Sequence, residues 1–171
     1  MLLPLSALLL SAAAAAAHPV PVPVAVGDLA AIRAAVTAPG ATAVLVNVWA
    51  TWCDACREEM PALLRFARAH RAEGLRLVLV SADDEDQREQ VAAFLGKAGA
   101  AGATAFIKHG ADDAFVNGLD PNWTGALPAS FLYDAHGAEK RFWSGPLTVP
   151  ELEAGLRELK LEGKDKPKGK P

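Results

Sequence analysis

The chain has two cysteines, Cys53 and Cys56, and both lie in the segment NVWATWCDACREEMP of residues 47–61. Such a pair could form a structural disulfide, half of a metal site or a redox centre. A disulfide that closes so short a loop constrains little of the unfolded chain. A structural zinc site needs four ligands, and the histidines are scattered without ligand spacing. We therefore favour a redox pair, and expect neither a metal ion nor a cofactor.

The cysteine pair falls where a predicted strand meets a predicted helix. Residues 42–50 form a near-continuous apolar run, typical of a strand buried on both faces. A long helix is expected from Cys53 to Gly74. At its N-terminus, unpaired N–H groups and the helix dipole favour a thiolate and lower the pKa of a thiol. Cys56 lies one turn further along the same face, so the spacing suits attack by Cys53 and resolution by Cys56.

Strands and helices alternate along the rest of the chain. The hydrophobic pattern and the turn residues predict helices at 28–38, 84–98, 112–119 and 148–163, strands at 75–82 and 103–110, and a hairpin at 129–145 that turns at Gly137. Alternating strands and helices that finish with a hairpin predict an α/β fold, with a mixed sheet covered by helices.

Composition and the two ends of the chain suggest how it is organised. A net charge of −3 gives no basic face for nucleic acid. Residues 1–17 are apolar, lack charged side chains and end in small residues, so we expect a signal peptide cleaved after Ala17 and a periplasmic protein. The basic residues usual at the start of a signal are missing, and an uncleaved N-terminal membrane anchor is the alternative. We expect an extended, proline-rich linker at 18–26, one domain at 27–162 and a disordered lysine-rich tail at 163–171.

Two segments resemble a known family. Residues 47–61, together with GALPASFLYDAHG at 125–137, are similar to the TlpA-like and ResA-like extracytoplasmic branch of the thioredoxin superfamily. The shared motifs are a tryptophan before the first cysteine, a proline five residues after the second, and a proline-containing loop leading into FLYD. The resemblance covers about residues 27–160.

The resemblance implies a thioredoxin-like fold, a three-layer α/β/α sandwich with a mixed central sheet. Residues 84–98 would be the helical insertion of this branch. Pro128 would be a cis-proline beside the active site. With Trp52 and Asp54, Pro128 is expected to shape a groove for the substrate. The negative charge of Asp54 disfavours ionisation of Cys53, and so should keep the protein a reductant.

Glu59 is the candidate proton carrier. On a helical wheel it borders the apolar stripe of its helix, whereas Glu58 points away from the stripe. Burial would raise the pKa of such a carboxyl toward neutrality. In the resembled branch a glutamate at this position is associated with tuning the cysteine pair. Thioredoxins proper have a buried aspartate where this chain has Asn47, whose amide does not titrate.

These observations predict an exported thiol–disulfide oxidoreductase that cycles through a Cys53–Cys56 disulfide. We expect a monomer that takes electrons from a membrane-bound thiol reductase and reduces proteins with cysteine pairs. The resemblance suggests cytochrome c maturation or copper-site assembly. One alternative is a thiol peroxidase, although the threonine usual three residues before a peroxidatic cysteine is replaced by Ala50, with Thr51 one place away. The other alternative is a copper-binding chaperone.

Overall fold

A computed structural model of the chain describes residues 22–165, which form one sheet with helices on both faces. The strands are β1 (Val24–Gly27), β2 (Ala43–Trp49), β3 (Leu75–Ser81), β4 (Thr104–Lys108), β5 (Ala129–Asp134) and β6 (Glu139–Ser144). The helices are α1 (Leu29–Thr37), α2 (Asp54–Ala69), α3 (Arg88–Ala98), α4 (Asp112–Leu119) and α5 (Val149–Asp165).

The sheet has the strand order β1-β4-β3-β2-β5-β6. Strands β1 to β4 are parallel, whereas β5 is antiparallel to β2 and β6 is antiparallel to β5. The predicted mixed sheet is therefore confirmed. Because β2 and β5 run in opposite directions, the end of β2 that leads to the cysteines meets the start of β5, directly after Pro128. Asn47 pairs in register with Ser130.

The core lies in two apolar clusters, one on each face of the sheet. Alternate residues of β2 belong to different clusters, as expected when successive side chains of a strand point to opposite faces. One cluster includes Met60, Leu63, Leu64, Val91, Leu95, Leu152 and Leu156, from α2, α3 and α5. The other includes Ile32, Val36 and Phe115, from α1 and α4. The three-layer α/β/α arrangement is thus confirmed.

The N-terminal boundary of the fold differs from the expectation. Residues 24–26 were expected in the linker, but Val24–Gly27 form the edge strand β1, which pairs in parallel with β4. Val22 is buried as well. The alternation of proline and valine favours an extended chain, and the exposed edge of β4 supplies the hydrogen-bond partners for it.

Three helix ends also differ. The predicted helix to Gly74 ends at Ala69 and is followed by a short 3-10 turn, with Gly74 left-handed at φ 92°. The insertion helix begins at Arg88, because Glu85–Gln87 form a 3-10 turn capped by Asp84. Helix α5 continues to Asp165, into the segment expected as tail.

Parts of the predicted organisation lie outside the described residues. The signal peptide at 1–17, the first part of the linker and residues 166–171 of the tail are among them, so these assignments stay predictions. Within residues 22–165, no helix combines the length and apolarity that a membrane span requires.

The β5–β6 turn gives a test of the fold. Gly137 has φ +77°, and a Cβ placed there would lie 2.6 Å from the methyl carbon of Thr37. We expect Gly137→Ala to lower the free energy of unfolding by about 2–3 kcal/mol, since both backbone strain and the contact oppose it. Urea denaturation measures this change.

A matched control separates the two causes. Gly40 has φ +92°, and a Cβ added there would meet no described atom within 4 Å. Gly40→Ala should therefore show the backbone strain alone, about 1–2 kcal/mol. Equal losses in the two variants would mean that α1 does not resist the added methyl group.

Candidate active site

The two cysteines form a disulfide at the start of α2, with their Cα atoms 5.3 Å apart. Cys53 is the N-cap of the helix, in an extended conformation, and its Sγ accepts a hydrogen bond from the N–H of Cys56 at 3.2 Å. Cys53 is 9% exposed and Cys56 is 0% exposed. This difference agrees with Cys53 as the sulfur that a substrate reaches first.

A hydrogen-bond network is centred on Glu59, three residues after Cys56 on α2. Glu59 is 8% exposed. Its Oε1 accepts from the side-chain amide of Asn47 at 2.9 Å, and its Oε2 accepts from the backbone N–H of Leu147 at 2.8 Å. The same amide also donates to the hydroxyl of Ser130 at 3.0 Å. The network therefore joins α2, β2, β5 and the segment that leads into α5.

The environment of Glu59 changes its acidity. Burial raises the pKa of the Glu59 carboxyl above its ordinary value, and the hydrogen bonds from Leu147 and Asn47 oppose that rise. On the other side of the network, the Asn47 Oδ1 atom is buried with no hydrogen-bond partner among the described residues. Glu59, the predicted proton carrier, is thus more buried than expected for a residue at the border of an apolar stripe. Two hydrogen-bond donors hold its carboxylate.

The three predicted groove residues differ in position. Trp52 is 64% exposed. It lines a groove of about 450 Å³ between α4 and the turn at residues 50–53, here called the redox loop. Leu127 lines it too, and the Leu127–Pro128 peptide bond is cis, as predicted. Pro128 itself and Asp54 lie outside that lining. Asp54 is exposed and forms an ion pair with Arg57, so Arg57 offsets part of the charge expected to act on Cys53.

The remaining tryptophans near the site pack in the core. Trp49 is fully buried and lies 5.1 Å from the ring of Phe94 on the insertion helix. Trp123 is 4% exposed, donates its indole N–H to the carbonyl of Ala126 at 2.9 Å and meets Phe131 edge-on. Trp123 also borders the groove, so it serves both packing and the groove wall.

Sequence reasoning missed three contributors to this site. Ser130 and Leu147 contact the network but lie far from the cysteines in sequence, and no local pattern marks them. Asp83 accepts hydrogen bonds from the redox loop. An acid that follows a buried parallel strand, at the edge where the active site lies, was the available signal. Among the side chains described for residues 22–160, no cluster of three or more histidine, cysteine, aspartate or glutamate residues could hold a metal ion.

The chain is similar in sequence to curated proteins that are named as thiol–disulfide oxidoreductases or interchange proteins. The chain is 28% identical over 117 residues to the thiol-disulfide oxidoreductase ResA of Geobacillus kaustophilus, covering 68% of this chain and 63% of ResA. It is 34% identical to the thiol:disulfide interchange protein DsbE of Allochromatium vinosum, covering 60% of this chain and 51% of DsbE. With CycY of Rhizobium leguminosarum the identity is 32%, covering 74% of this chain and 61% of CycY. The chain thus spans between 51% and 63% of the length of these relatives.

Solved structures agree on the fold. A thioredoxin-related protein from Neisseria meningitidis superposes with a TM-score of 0.58 at 23% identity, covering 72% of this chain and 89% of that structure. A thiol:disulfide interchange protein from Chlorobium tepidum also gives a TM-score of 0.58, at 22% identity, covering 85% of this chain and 99% of that structure. At such identities the likeness supports the thioredoxin-like fold alone.

A family model matches most of the chain. The Redoxin family model matches residues 13–156, which include the disulfide, the Glu59 network and the cis-proline loop. The resemblance to extracytoplasmic thiol–disulfide oxidoreductases of the thioredoxin superfamily is confirmed by the named relatives. The chain therefore belongs to the Redoxin family.

Proposed function

We propose that this chain is a protein thiol–disulfide oxidoreductase in which Cys53 attacks and Cys56 resolves. The observation that carries the proposal is the disulfide at the N-terminus of α2, with Cys53 partly exposed and Cys56 wholly buried. A sulfur at a helix N-terminus is stabilised as the thiolate, and thiolate is the form that attacks disulfides. The oxidoreductase names of the curated relatives support the same activity.

The proposed reaction has two exchange steps. In the reduced protein, the Cys53 thiolate attacks one sulfur of a substrate disulfide, which forms a mixed disulfide and releases the other substrate sulfur as a thiolate. Cys56 then loses its proton and attacks the Cys53 sulfur, which releases the second substrate sulfur and restores the Cys53–Cys56 disulfide. Two electrons pass to the substrate, whose thiolates take up protons.

Glu59 is the proposed carrier of the Cys56 proton. It follows Cys56 by three positions on α2, so both side chains lie on one face of the helix. Its raised pKa brings the carboxyl nearer to neutrality, where proton transfer in both directions is efficient. The donors from Asn47 and Leu147 hold the carboxylate in place during the cycle.

We further propose that the protein acts outside the cytoplasm as a monomeric reductant. The apolar, uncharged run at residues 2–17 supports export. Its electrons would come from a membrane-bound thiol reductase, and its substrates would be exported proteins with cysteine pairs, as in cytochrome c maturation or copper-site assembly. Trp52 and the groove beside it would contact the substrate, and Pro128 would lie against its backbone.

Insulin reduction tests the proposed activity. We expect the protein, kept reduced by dithiothreitol, to reduce insulin disulfides, and its cysteine pair to have a potential nearer the thioredoxin value of about −270 mV than the oxidant value of about −120 mV. The reductase proposal fails if the potential lies at the oxidant end. Turnover of hydrogen peroxide without insulin reduction would indicate a thiol peroxidase, and stoichiometric retention of Cu(I) without insulin reduction would indicate a copper chaperone.

A further inference from the structure

A buried carboxylate lies against the redox loop and takes no part in the chemistry above. Asp83, which follows β3, is 2% exposed. Its Oδ2 accepts from the backbone N–H of Thr51 at 2.9 Å and from the hydroxyl of Ser81 at 2.5 Å. Its Oδ1 accepts from the hydroxyl of Thr51 at 2.5 Å. Among the ion pairs described for residues 22–160, none joins Asp83 to a lysine, arginine or histidine.

An uncompensated buried charge is unfavourable unless hydrogen bonds replace its hydration. The three donors to Asp83 come from two places only, the end of β3 and Thr51 in the redox loop. Ser81 is fully buried, and it also accepts a hydrogen bond from the Asp83 N–H at 3.1 Å. The two hydrogen bonds with Ser81 hold Asp83 at the end of β3. The other two hydrogen bonds of the carboxylate both come from Thr51.

Thr51 lies within the turn that presents Cys53. The N–H of Cys53 donates to the carbonyl of Ala50 at 3.2 Å, which closes the turn around Thr51 and Trp52. Thr51 donates to Asp83 through both its backbone N–H and its hydroxyl. The buried aspartate therefore restricts the conformation of this turn. The exposed Trp52 and the sulfur of Cys53 follow directly from this anchored residue.

We propose that Asp83 is a positioning residue for Cys53, acting through Thr51. It sets the conformation of the turn at residues 50–53, and it places a buried negative charge beside the turn. A nearby negative charge disfavours a thiolate, so Asp83 opposes the effect of the α2 dipole on Cys53. This inference rests on the proposed redox role of Cys53.

Other charged groups on the surrounding elements include Asp54, Arg57, Glu59, Lys108 and Asp112, together with the exposed acids that follow Asp83, which are Asp84, Glu85 and Asp86. Asp54 pairs with Arg57, and Lys108 pairs with Asp112 across 2.5 Å. Glu59 is bound to Asn47 and Leu147. In each of these two ion pairs at least one partner is exposed, so solvent screens its charge. The carboxylate of Asp83, by contrast, is buried and has no described ion-pair partner.

The effect of the Asp83 charge on Cys53 is tested on the reduced protein with Cys56→Ser, so that Cys53 is the one thiol that iodoacetamide can alkylate. We expect Asp83→Asn to raise the rate of iodoacetamide alkylation of Cys53 about threefold or more on the acidic side of its titration, and to move the midpoint to lower pH. Asp86→Asn is the matched control, because Asp86 is an exposed acid of the same segment, and it should leave the midpoint unchanged. If Asp83→Asn shifts the midpoint of the Cys53 titration no further than Asp86→Asn does, the proposal is overturned.

Variants of Thr51 test whether Asp83 positions Cys53. They also test the proposal if Asp83→Asn does not fold. Thr51→Val removes the hydroxyl donor but keeps the side-chain shape, and Thr51→Ser keeps the hydroxyl. We expect Thr51→Val to lower kcat/KM for insulin reduction about threefold or more, and Thr51→Ser to stay close to wild type. Equal kcat/KM values for the two variants overturn the positioning role.

The two proposals can fail separately. Alkylation reports on Cys53 without any substrate disulfide, so the Asp83 result stands even if the wild-type protein reduces no insulin. If instead the wild-type protein reduces insulin and Asp83→Asn alkylates like wild type, the oxidoreductase function stands and the role of Asp83 is rejected.

Discussion

Cys53→Ser is expected to reduce insulin no faster than the background reaction and to form no mixed disulfide. The attacking sulfur is gone, and Cys56 is 0% exposed, so its thiol is out of reach of a protein substrate. Cys56→Ser should also lose turnover, but it should accumulate a mixed disulfide between Cys53 and insulin, because no second thiol remains to resolve it. Non-reducing electrophoresis followed by mass spectrometry of the cross-linked peptide measures both outcomes.

The assignment of roles depends on the contrast between these two variants. Equal trapping by Cys53→Ser and Cys56→Ser would contradict it, since the wholly buried Cys56 would then be as reactive as Cys53, which is 9% exposed. Reduced wild-type protein is the stability reference, because it lacks the disulfide as both variants do. Comparison with it separates a loss of chemistry from a loss of folding.

Glu59→Gln should slow disulfide exchange near neutral pH by about 10²-fold, if the carboxyl carries the Cys56 proton. Glutamine has nearly the same shape, but it has one acceptor oxygen where the carboxylate has two. One of the donors, Asn47 or Leu147, therefore loses its partner, which should lower the free energy of unfolding by about 1–3 kcal/mol. Glu58→Gln is the matched control, because Glu58 is the adjacent carboxyl and is exposed.

The same variant makes a prediction about pH. The folded protein raises the pKa of Glu59 above its ordinary value of 4.5, so the folded state keeps this proton to a higher pH than the unfolded chain does. Stability from the protonated carboxyl is then fully present below pH 4.5 and is lost as pH rises through the folded pKa. Chemical denaturation of the oxidised protein across this range should show a steeper decline in wild type and in Glu58→Gln than in Glu59→Gln. A shared decline remains in all three proteins, because burial raises the pKa of Glu139 to about 7.

Two results would contradict the role of Glu59. If Glu59→Gln exchanges disulfides at the wild-type rate across the pH range, the carboxyl carries no proton in the reaction. If the stability of Glu59→Gln declines with pH as steeply as that of wild type, the titrating group lies elsewhere in the protein.

Much of the site was predictable from sequence because it depends on neighbours along the chain. The cysteine spacing, the apolar run before it and the helix pattern after it place Cys53 at a helix N-terminus and Cys56 one turn below. The alternation of strands and helices likewise predicted the mixed sheet. Each of these signals lies within a window of a few residues, where hydrophobic periodicity and capping act directly.

The linker at residues 24–26 and the helix ends show where local signals were insufficient. Val24–Gly27 form a strand only because β4 offers an open edge, and nothing within the segment identifies that partner. The predicted helix to Gly74 ends early at Ala69, because a 3-10 turn and a left-handed glycine lead the chain back into β3.

The sequence by itself determined that this protein has a redox-type cysteine pair on an α/β framework, because helix start, strand burial and cysteine spacing are local properties. Tertiary structure alone decided the surroundings of that pair. The antiparallel pairing of β2 with β5 brings Ser130 to Asn47. The path of the chain after β6 brings the N–H of Leu147 to Glu59, 88 positions away. Folding of β3 beside β2 brings Asp83 to Thr51. Contacts at such separations depend on strand order and register, which side chains distributed over the whole core specify together.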